Sequence, residues 1–289
     1  MSHPIFYRPE MAVAGQDPYF TDTPYAFVAM ARSTRLAKTV KSFRPAKRED
    51  LGLVHDMGYI QGVFKGSIHN GVETYDPQVV RACLHRVGSM VAAAREAWRS
   101  GQPACSPVSG IHRAGYASGD GLNAFNGLMV AAATILISDP SVKVGILDCE
   151  MCWGDGTQGI LHHRPELAGR ICHFASSRYF HGGESASSFF GWLRSAITLL
   201  NAAQCEVVFY QAGADMHLHS PTGGLLSTCE MALRDHMVFT GLRCGVAWNL
   251  AGGDQTHPGA AQQGLVPALS VNGVTLQQAT RKGVSSCGK

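Results

Sequence analysis

Val144-Gly-Ile-Leu-Asp-Cys-Glu-Met-Cys-Trp-Gly-Asp-Gly-Thr-Gln158 opens as an apolar run and closes as a turn rich in glycine and aspartate. A short run with no polar alternation is what a strand covered on both faces requires. The same form recurs in Val207-Val-Phe-Tyr-Gln211 and Gly245-Val-Ala-Trp-Asn-Leu250, each followed by a Gly-rich or Asp-containing turn. Amphipathic stretches over 80–99 and 187–203 lie before and between these runs. The alternation predicts an α/β fold with a parallel sheet flanked by helices. In such sheets ligands gather beyond the carboxyl ends of the strands. The loops over 106–121, 148–158, 212–225 and 251–257 are therefore the ones to read for chemistry.

The bulk properties narrow the function classes. The 289 residues are 45% hydrophobic and 16% charged, a balance that favours a large buried core. A net charge of +3 without a basic run gives no footprint for nucleic acid. The apolar stretch from Leu128 to Ile137 is too short to span a bilayer and reads as a buried helix. Nine cysteines without a paired framework, and no leader-like segment, lead to the expectation of a reducing cytoplasm. Residues 1–48 lack periodicity and read as an irregular N-terminal arm on a single domain spanning 1–289.

Four stretches carry a family pattern. They are Ser109-Gly-Ile-His-Arg-Ala-Gly-Tyr116 with Phe125-Asn-Gly-Leu128; the run Ile146–Gln158; Tyr210-Gln-Ala-Gly-Ala-Asp215 with Pro221-x-Gly-Gly224; and Trp248-Asn-Leu-Ala-Gly-Gly-Asp254. An earlier piece, His55-Asp56 with Tyr59, fits a rim segment. In this order and at these separations they resemble the histone deacetylase superfamily, in its bacterial, acetylpolyamine amidohydrolase-like form. The resemblance implies the three-layer arginase/deacetylase fold, with a mostly parallel sheet of about eight strands. It also implies metal-assisted hydrolysis of an amide in a small acylated amine or acyl-lysine-like substrate, with zinc as the metal. A structural potassium ion near Asp148 is implied as well.

Carried over residue by residue, the resemblance puts the zinc ligands at Glu150, Cys152 and Asp215, where the family has Asp, His and Asp. Residues 150 and 152 lie two apart at a strand end and leave the same face. Glu is longer than Asp and Cys reaches less far than His, so the cage is altered in opposite directions. Three anionic ligands around a dication leave about −1, which weakens activation of bound water. Two readings of the trio stand: a displaced metal site, or a metal-free pocket with Cys152 as a small buried thiol.

The family's paired histidines correspond to His112 and Arg113, and their supporting carboxylates to Asp148 and Asp155. His112–Asp148 is expected as a hydrogen-bonded dyad, and Arg113–Asp155 as a salt bridge. Arg113 stays charged and cannot act as a general base. Asp254 stands where the family has a tyrosine that donates to the developing oxyanion, a role an ionised carboxylate opposes. Asp56, Trp153, Gly252 and Gly253 are expected to shape the substrate pocket. His217 and His219 read as loop residues, and His162-His163 as a polar helix face. A thiol nucleophile at Cys152, activated by His112, is a further reading. Three function readings follow: a diverged amidohydrolase, a repurposed enzyme with different, metal-free chemistry in the same pocket, or a catalytically inactive deacetylase-fold binding or regulatory protein, each of which admits an oligomer. Glu, Cys, Arg and Asp are all chemically capable replacements, which favours a reworked site over a decayed one.

Overall fold

The computed structural model describes residues 3–13, 18–121, 123–151, 154–181, 183–220, 224–252 and 275–279. Seven strands form one sheet: β1 (His3–Phe6), β2 (Ala37–Val40), β3 (Ala104–Ser106), β4 (Val144–Asp148), β5 (Ile171–Ala175), β6 (Val207–Gln211) and β7 (Gly245–Asn249). Their order is β2-β1-β3-β7-β6-β4-β5 and every pairing is parallel. The three apolar runs read from the sequence are β4, β6 and β7, each buried along its whole length. Seven strands are found among the described residues where the resemblance implies about eight.

Nine bounded α-helices connect and cover the strands among the described residues, and residues 275–279 are helical as well. They are α1 (Pro18–Ser33), α2 (Arg48–Leu51), α3 (Met57–Lys65), α4 (Pro77–Ser100), α5 (Gly127–Ser138), α6 (Asp155–His163), α7 (Pro165–Ala168), α8 (Ala186–Ala202) and α9 (Thr228–Gly241). Their boundaries follow capping chemistry. Asp76 accepts from the Gln78 amide at 2.8 Å to start α4, Pro77 follows at the first helical position, and Gly101 ends the helix in a left-handed turn at φ 67°. Ser227 and Glu230 close a capping box at the start of α9. The helix α5 is buried over nearly its whole length, so it carries no polar face.

The helices form layers on both sides of the sheet. On β7, Gly245 packs against the α4 backbone, where an added Cβ would stand 1.8 Å from the Ala97 carbonyl oxygen. Trp248, one face over, meets Phe239 of α9 and Phe27 of α1 edge-on, with ring centroids 6.3 and 5.7 Å apart. No helix among the described residues is long and apolar enough to cross a membrane.

The expectation of an irregular arm over 1–48 is corrected. This segment contributes β1, α1 and β2, and β1 pairs with both β2 and β3. It is also pinned to the core: Trp248 Nε1 donates to His3 Nε2 at 2.9 Å, and Ser89 Oγ donates to the Phe6 carbonyl. The strands are only four residues long and β2 is half-exposed, while α1 carries Pro24 in its interior. The strands are too short to display a period, and Pro24 in the middle of α1 reads as a helix break.

Candidate active site

Parallel register brings the ends of three buried strands level, with Asp148 opposite Gln211 and Gln211 opposite Asn249. Each is a polar residue at the last position of an otherwise apolar strand. Asn249 Nδ2 donates to Gln211 Oε1 at 2.9 Å, and Gln211 Nε2 donates to Glu150 Oε1 at 2.9 Å. The longer Glu150 side chain is thus anchored from the sheet by a two-amide relay. Its second oxygen lies 3.5 Å from His112 Nε2, a contact of charges beyond normal hydrogen-bond length.

His112 completes the line. Its Nδ1 is 2.7 Å from Asp148 Oδ2, so the expected dyad is formed, and both side chains are buried. Burial alone pushes the imidazole down. Glu150 and Asp148 on its two sides outweigh burial and raise its pKa to about 9, with Arg113 opposing. The two flanking carboxylates thus favour the charged form of the ring.

The loop carrying His112 is clamped rather than free. Asn126, the N-cap of α5, donates through Nδ2 to the carbonyls of His112 at 2.7 Å and Ala114 at 3.1 Å. The Thr157 amide donates to the same His112 carbonyl at 3.2 Å. Gly154 passes directly over the dyad: a Cβ there would stand 2.6 Å from His112 Nδ1. His55 belongs to this scaffold, its Nδ1 2.9 Å from the Gly115 carbonyl and its Nε2 accepting from the Asn126 amide at 2.9 Å. Asp56 caps α3 by accepting from the Tyr59 amide at 2.8 Å.

Asp215 enters from the loop after β6 and is fully buried. Its Oδ2 accepts from the Met151 amide at 2.9 Å. The loop is held from behind by Arg234, whose Nη1 donates to the Gly213 carbonyl at 2.7 Å and whose Nε donates to Asp235 at 2.9 Å. Tyr210 and Thr275 also donate to Asp235. The loop after β7 approaches from the other side, the Ala214 amide donating to the Gly252 carbonyl at 2.6 Å. A Cβ on Gly252 would stand 2.8 Å from Glu150 Oε2 and 2.9 Å from Asp215 Oδ2. Two carboxylates therefore converge on one point left open by a glycine.

The donor set fits a cation. Oxygen atoms of Glu150 and Asp215 face the same small space, and the side chain of residue 252 is absent from it. Among the described residues, His112, Asp148 and Glu150 also have ligand-type atoms within 4.8 Å of one another. His112 Nδ1 is already committed to Asp148 there, so that trio is a hydrogen-bonded dyad with Glu150 3.5 Å away rather than a cage. Asp148 Oδ1 is buried with no hydrogen-bond partner among the described residues, and Ser176 Oγ donates to the Glu150 carbonyl at 2.8 Å. These are oxygens of the kind a monovalent cation takes up.

Cys152, Trp153, Gly253 and Asp254 lie outside the described residues, as does Pro221. The expected Arg113–Asp155 salt bridge is corrected. Arg113 Nη2 donates to Asp120 Oδ2 at 3.2 Å, while Asp155 is exposed as the first residue of α6. Gly121, at φ 59°, folds residues 120–121 back along the arginine stem, and a Cβ there would stand 2.5 Å from Arg113 Cδ. His217 Nε2 lies 2.9 Å from Thr228 Oγ1, and His162 and His163 sit exposed at the end of α6. Gln211, Asn249, Arg234 and Asp235 were not singled out from the sequence. The signal that could have found the first two is an amide ending each of two apolar strands.

Comparison with known proteins agrees with this architecture. The histone deacetylase domain family matches residues 23–186, more than half of the chain. An uncharacterized protein of Picosynechococcus sp. is 27% identical over 195 residues, covering 62% of this chain and 65% of that relative, just under two thirds of its length. The crystal structure of acetylpolyamine aminohydrolase from Burkholderia pseudomallei superposes with a TM-score of 0.73 at 14% identity, covering 96% of this chain and 98% of that one. At that identity the superposition shows the shared fold. The chain belongs to the histone deacetylase family.

Proposed function

We propose that the protein is a hydrolase of amide C–N bonds acting on a small acylated amine. The observation that carries this is the buried line Asp148–His112–Glu150, with Asp215 adjoining across Gly252. Glu150 and Asp215, with Cys152, would hold a divalent metal of the zinc type, and Asp148 Oδ1 would face a monovalent cation such as potassium. When bound, the divalent metal supplies Lewis-acid polarisation of an acyl carbonyl and acidification of water.

The chain's own residues do the rest. Asp148 fixes the orientation of the His112 ring, leaving Nε2 as the nitrogen turned to the site. Hydrolysis adds water across the C–N bond and gives a carboxylate and an amine. The departing nitrogen needs one proton, and His112 Nε2 is placed to hold it. Arg113 stands beside this centre as a fixed positive charge tied to the rim by Asp120. The solved relative is named for acetylpolyamines, which supports acylated di- and polyamines as the first substrates to test.

The test is hydrolysis of N-acetylated diamines and acetyl-lysine by wild type, His112→Asn and Arg113→Ala. The expected pattern is measurable wild-type turnover, a loss of about 10²–10⁴-fold in His112→Asn, and a small change in Arg113→Ala. A second reading, a non-catalytic binding protein, is favoured by the missing second imidazole–carboxylate pair, since Arg113 turns to Asp120 and Asp155 is exposed. Wild type that binds these amides without hydrolysing them would select it.

A further inference from the structure

Gly88, Ala92, Arg95 and Arg99 follow one another on α4 at spacings of four, three and four, so they share one helix face. Gly88 lets the segment after β2 lie directly on that face. A Cβ there would stand 2.2 Å from the Arg44 carbonyl oxygen, and the Ala46 amide donates to the Leu84 carbonyl at 2.9 Å. Beyond the point of contact the two surfaces diverge and leave a cavity of about 270 Å³, whose lining includes Phe6, Phe43, Arg44, Ala92, Arg95 and Arg99. It shares no lining residue with the site around His112.

The charges in this cleft are unevenly answered. Arg44 is neutralised by Asp50 through two contacts of 2.5 and 2.9 Å. Among the described residues, no carboxylate lies within ion-pair distance of Arg95 or Arg99, although Glu96 stands exposed at the edge. Arg95 is half-buried. Its guanidinium pKa is lowered by burial first and then by the cations Arg44 and Arg99, with Asp50 opposing. Opposite them Phe6, Phe43 and Ala46 stand beside the Arg44–Asp50 pair.

We propose that this cleft is a binding site for a small organic phosphate monoester. Arg95 and Arg99 take the phosphate, and Phe6 and Phe43 take the apolar body. A guanidinium fork matches phosphate oxygens, and Arg95 and Arg99 offer two such forks beyond the Arg44–Asp50 pair, in a lining that Glu96 leaves at a net charge of about +1. A carboxylate offers two oxygens and fills one fork, whereas a phosphate monoester offers three and reaches both.

Calorimetric titration of the full chain with phenyl phosphate, inorganic phosphate and benzoate tests this. Phenyl phosphate is expected to bind at least about tenfold more tightly than either of the others, since only it offers both the charge and the apolar body. Arg99→Gln, at an exposed position, and the double variant Arg95→Gln/Arg99→Gln are expected to weaken it by about tenfold or more, as the loss of charge-assisted contacts predicts. Ala92→Leu, which fills the cavity and removes no charge, should weaken phenyl phosphate and leave thermal stability near wild type. The proposal is overturned if benzoate or inorganic phosphate binds as well as phenyl phosphate. It is equally overturned if phenyl phosphate does not bind, or if the arginine variants bind it like wild type. Acylated-amine hydrolysis by Arg99→Gln is expected to be unchanged, which separates this outcome from any failure of the hydrolase reading.

Discussion

His112 and Asp148 are 36 residues apart in sequence, yet their side chains meet at 2.7 Å in a fully buried contact. One partner ends a strand covered on both faces, and the other sits on a loop clamped by Asn126 and Thr157. A pair held this rigidly is the arrangement that orients an imidazole for proton transfer. Asp148→Asn keeps the shape and removes the charge. It is expected to lower kcat for acylated-amine hydrolysis by about 10²-fold or more while KM changes little. Steady-state kinetics on the N-acetylated diamine that wild type turns over best is the check.

Gly252 is the second point of leverage. A methyl group there would enter the space between Glu150 Oε2 and Asp215 Oδ2, at 2.8 and 2.9 Å. Gly252→Ala should therefore spread the two carboxylates and cost about 1–3 kcal/mol through overpacking. Divalent-metal affinity is expected to fall by about tenfold or more, the effect of disturbing ligand placement. Zinc titration beside a urea melt measures both.

These two sites differ in how far the sequence disclosed them. The dyad His112–Asp148 was legible because each partner stands in a family motif, and the strand end that carries Asp148 announces itself as an apolar run. For Arg113 the motif points to Asp155, whereas the side chain meets Asp120. The choice between Asp120 and Asp155 is made by the left-handed turn at Gly121, which no spacing rule reveals. The relay Asn249–Gln211–Glu150 depends on strand register, fixed only once β4, β6 and β7 lie side by side. Arg234 and Asp235 were silent for another reason: a charged pair on a helix reads as a solvated face, and here both side chains are fully buried. The N-terminal strands were too short for their period to register.

That buried pair has its own consequence. Arg234 is fully enclosed, bound to Asp235 and to the Gly213 carbonyl beside Asp215. Arg234→Met leaves Asp235 uncompensated in the core and should cost about 3–5 kcal/mol. Chemical denaturation followed by intrinsic fluorescence is the measurement, and a loss under about 1 kcal/mol would contradict the role given to this pair.

Acid sensitivity is expected from two other histidines. His55 accepts the Asn126 amide at Nε2, and burial lowers its pKa to about 4. His3 accepts Trp248 Nε1 in the same manner, and burial lowers its pKa to about 3. In the unfolded chain both take up a proton near the ordinary value of about 6.5. Between about pH 6.5 and 4 the unfolded state therefore binds more protons, and stability falls as pH falls. For His55 the full effect is about 3 kcal/mol. Thermal midpoints of wild type should drop across that window, and those of His55→Gln should drop less steeply.

We propose that Glu150 and Asp215, brought together across Gly252, hold a divalent metal beside His112. Metal content of the purified protein, compared with Glu150→Gln/Asp215→Asn after the same dialysis, tests it most directly. About one divalent ion per chain is expected in wild type and almost none in the double variant. Wild type that neither carries nor takes up zinc, or a double variant that retains as much as wild type, would contradict it.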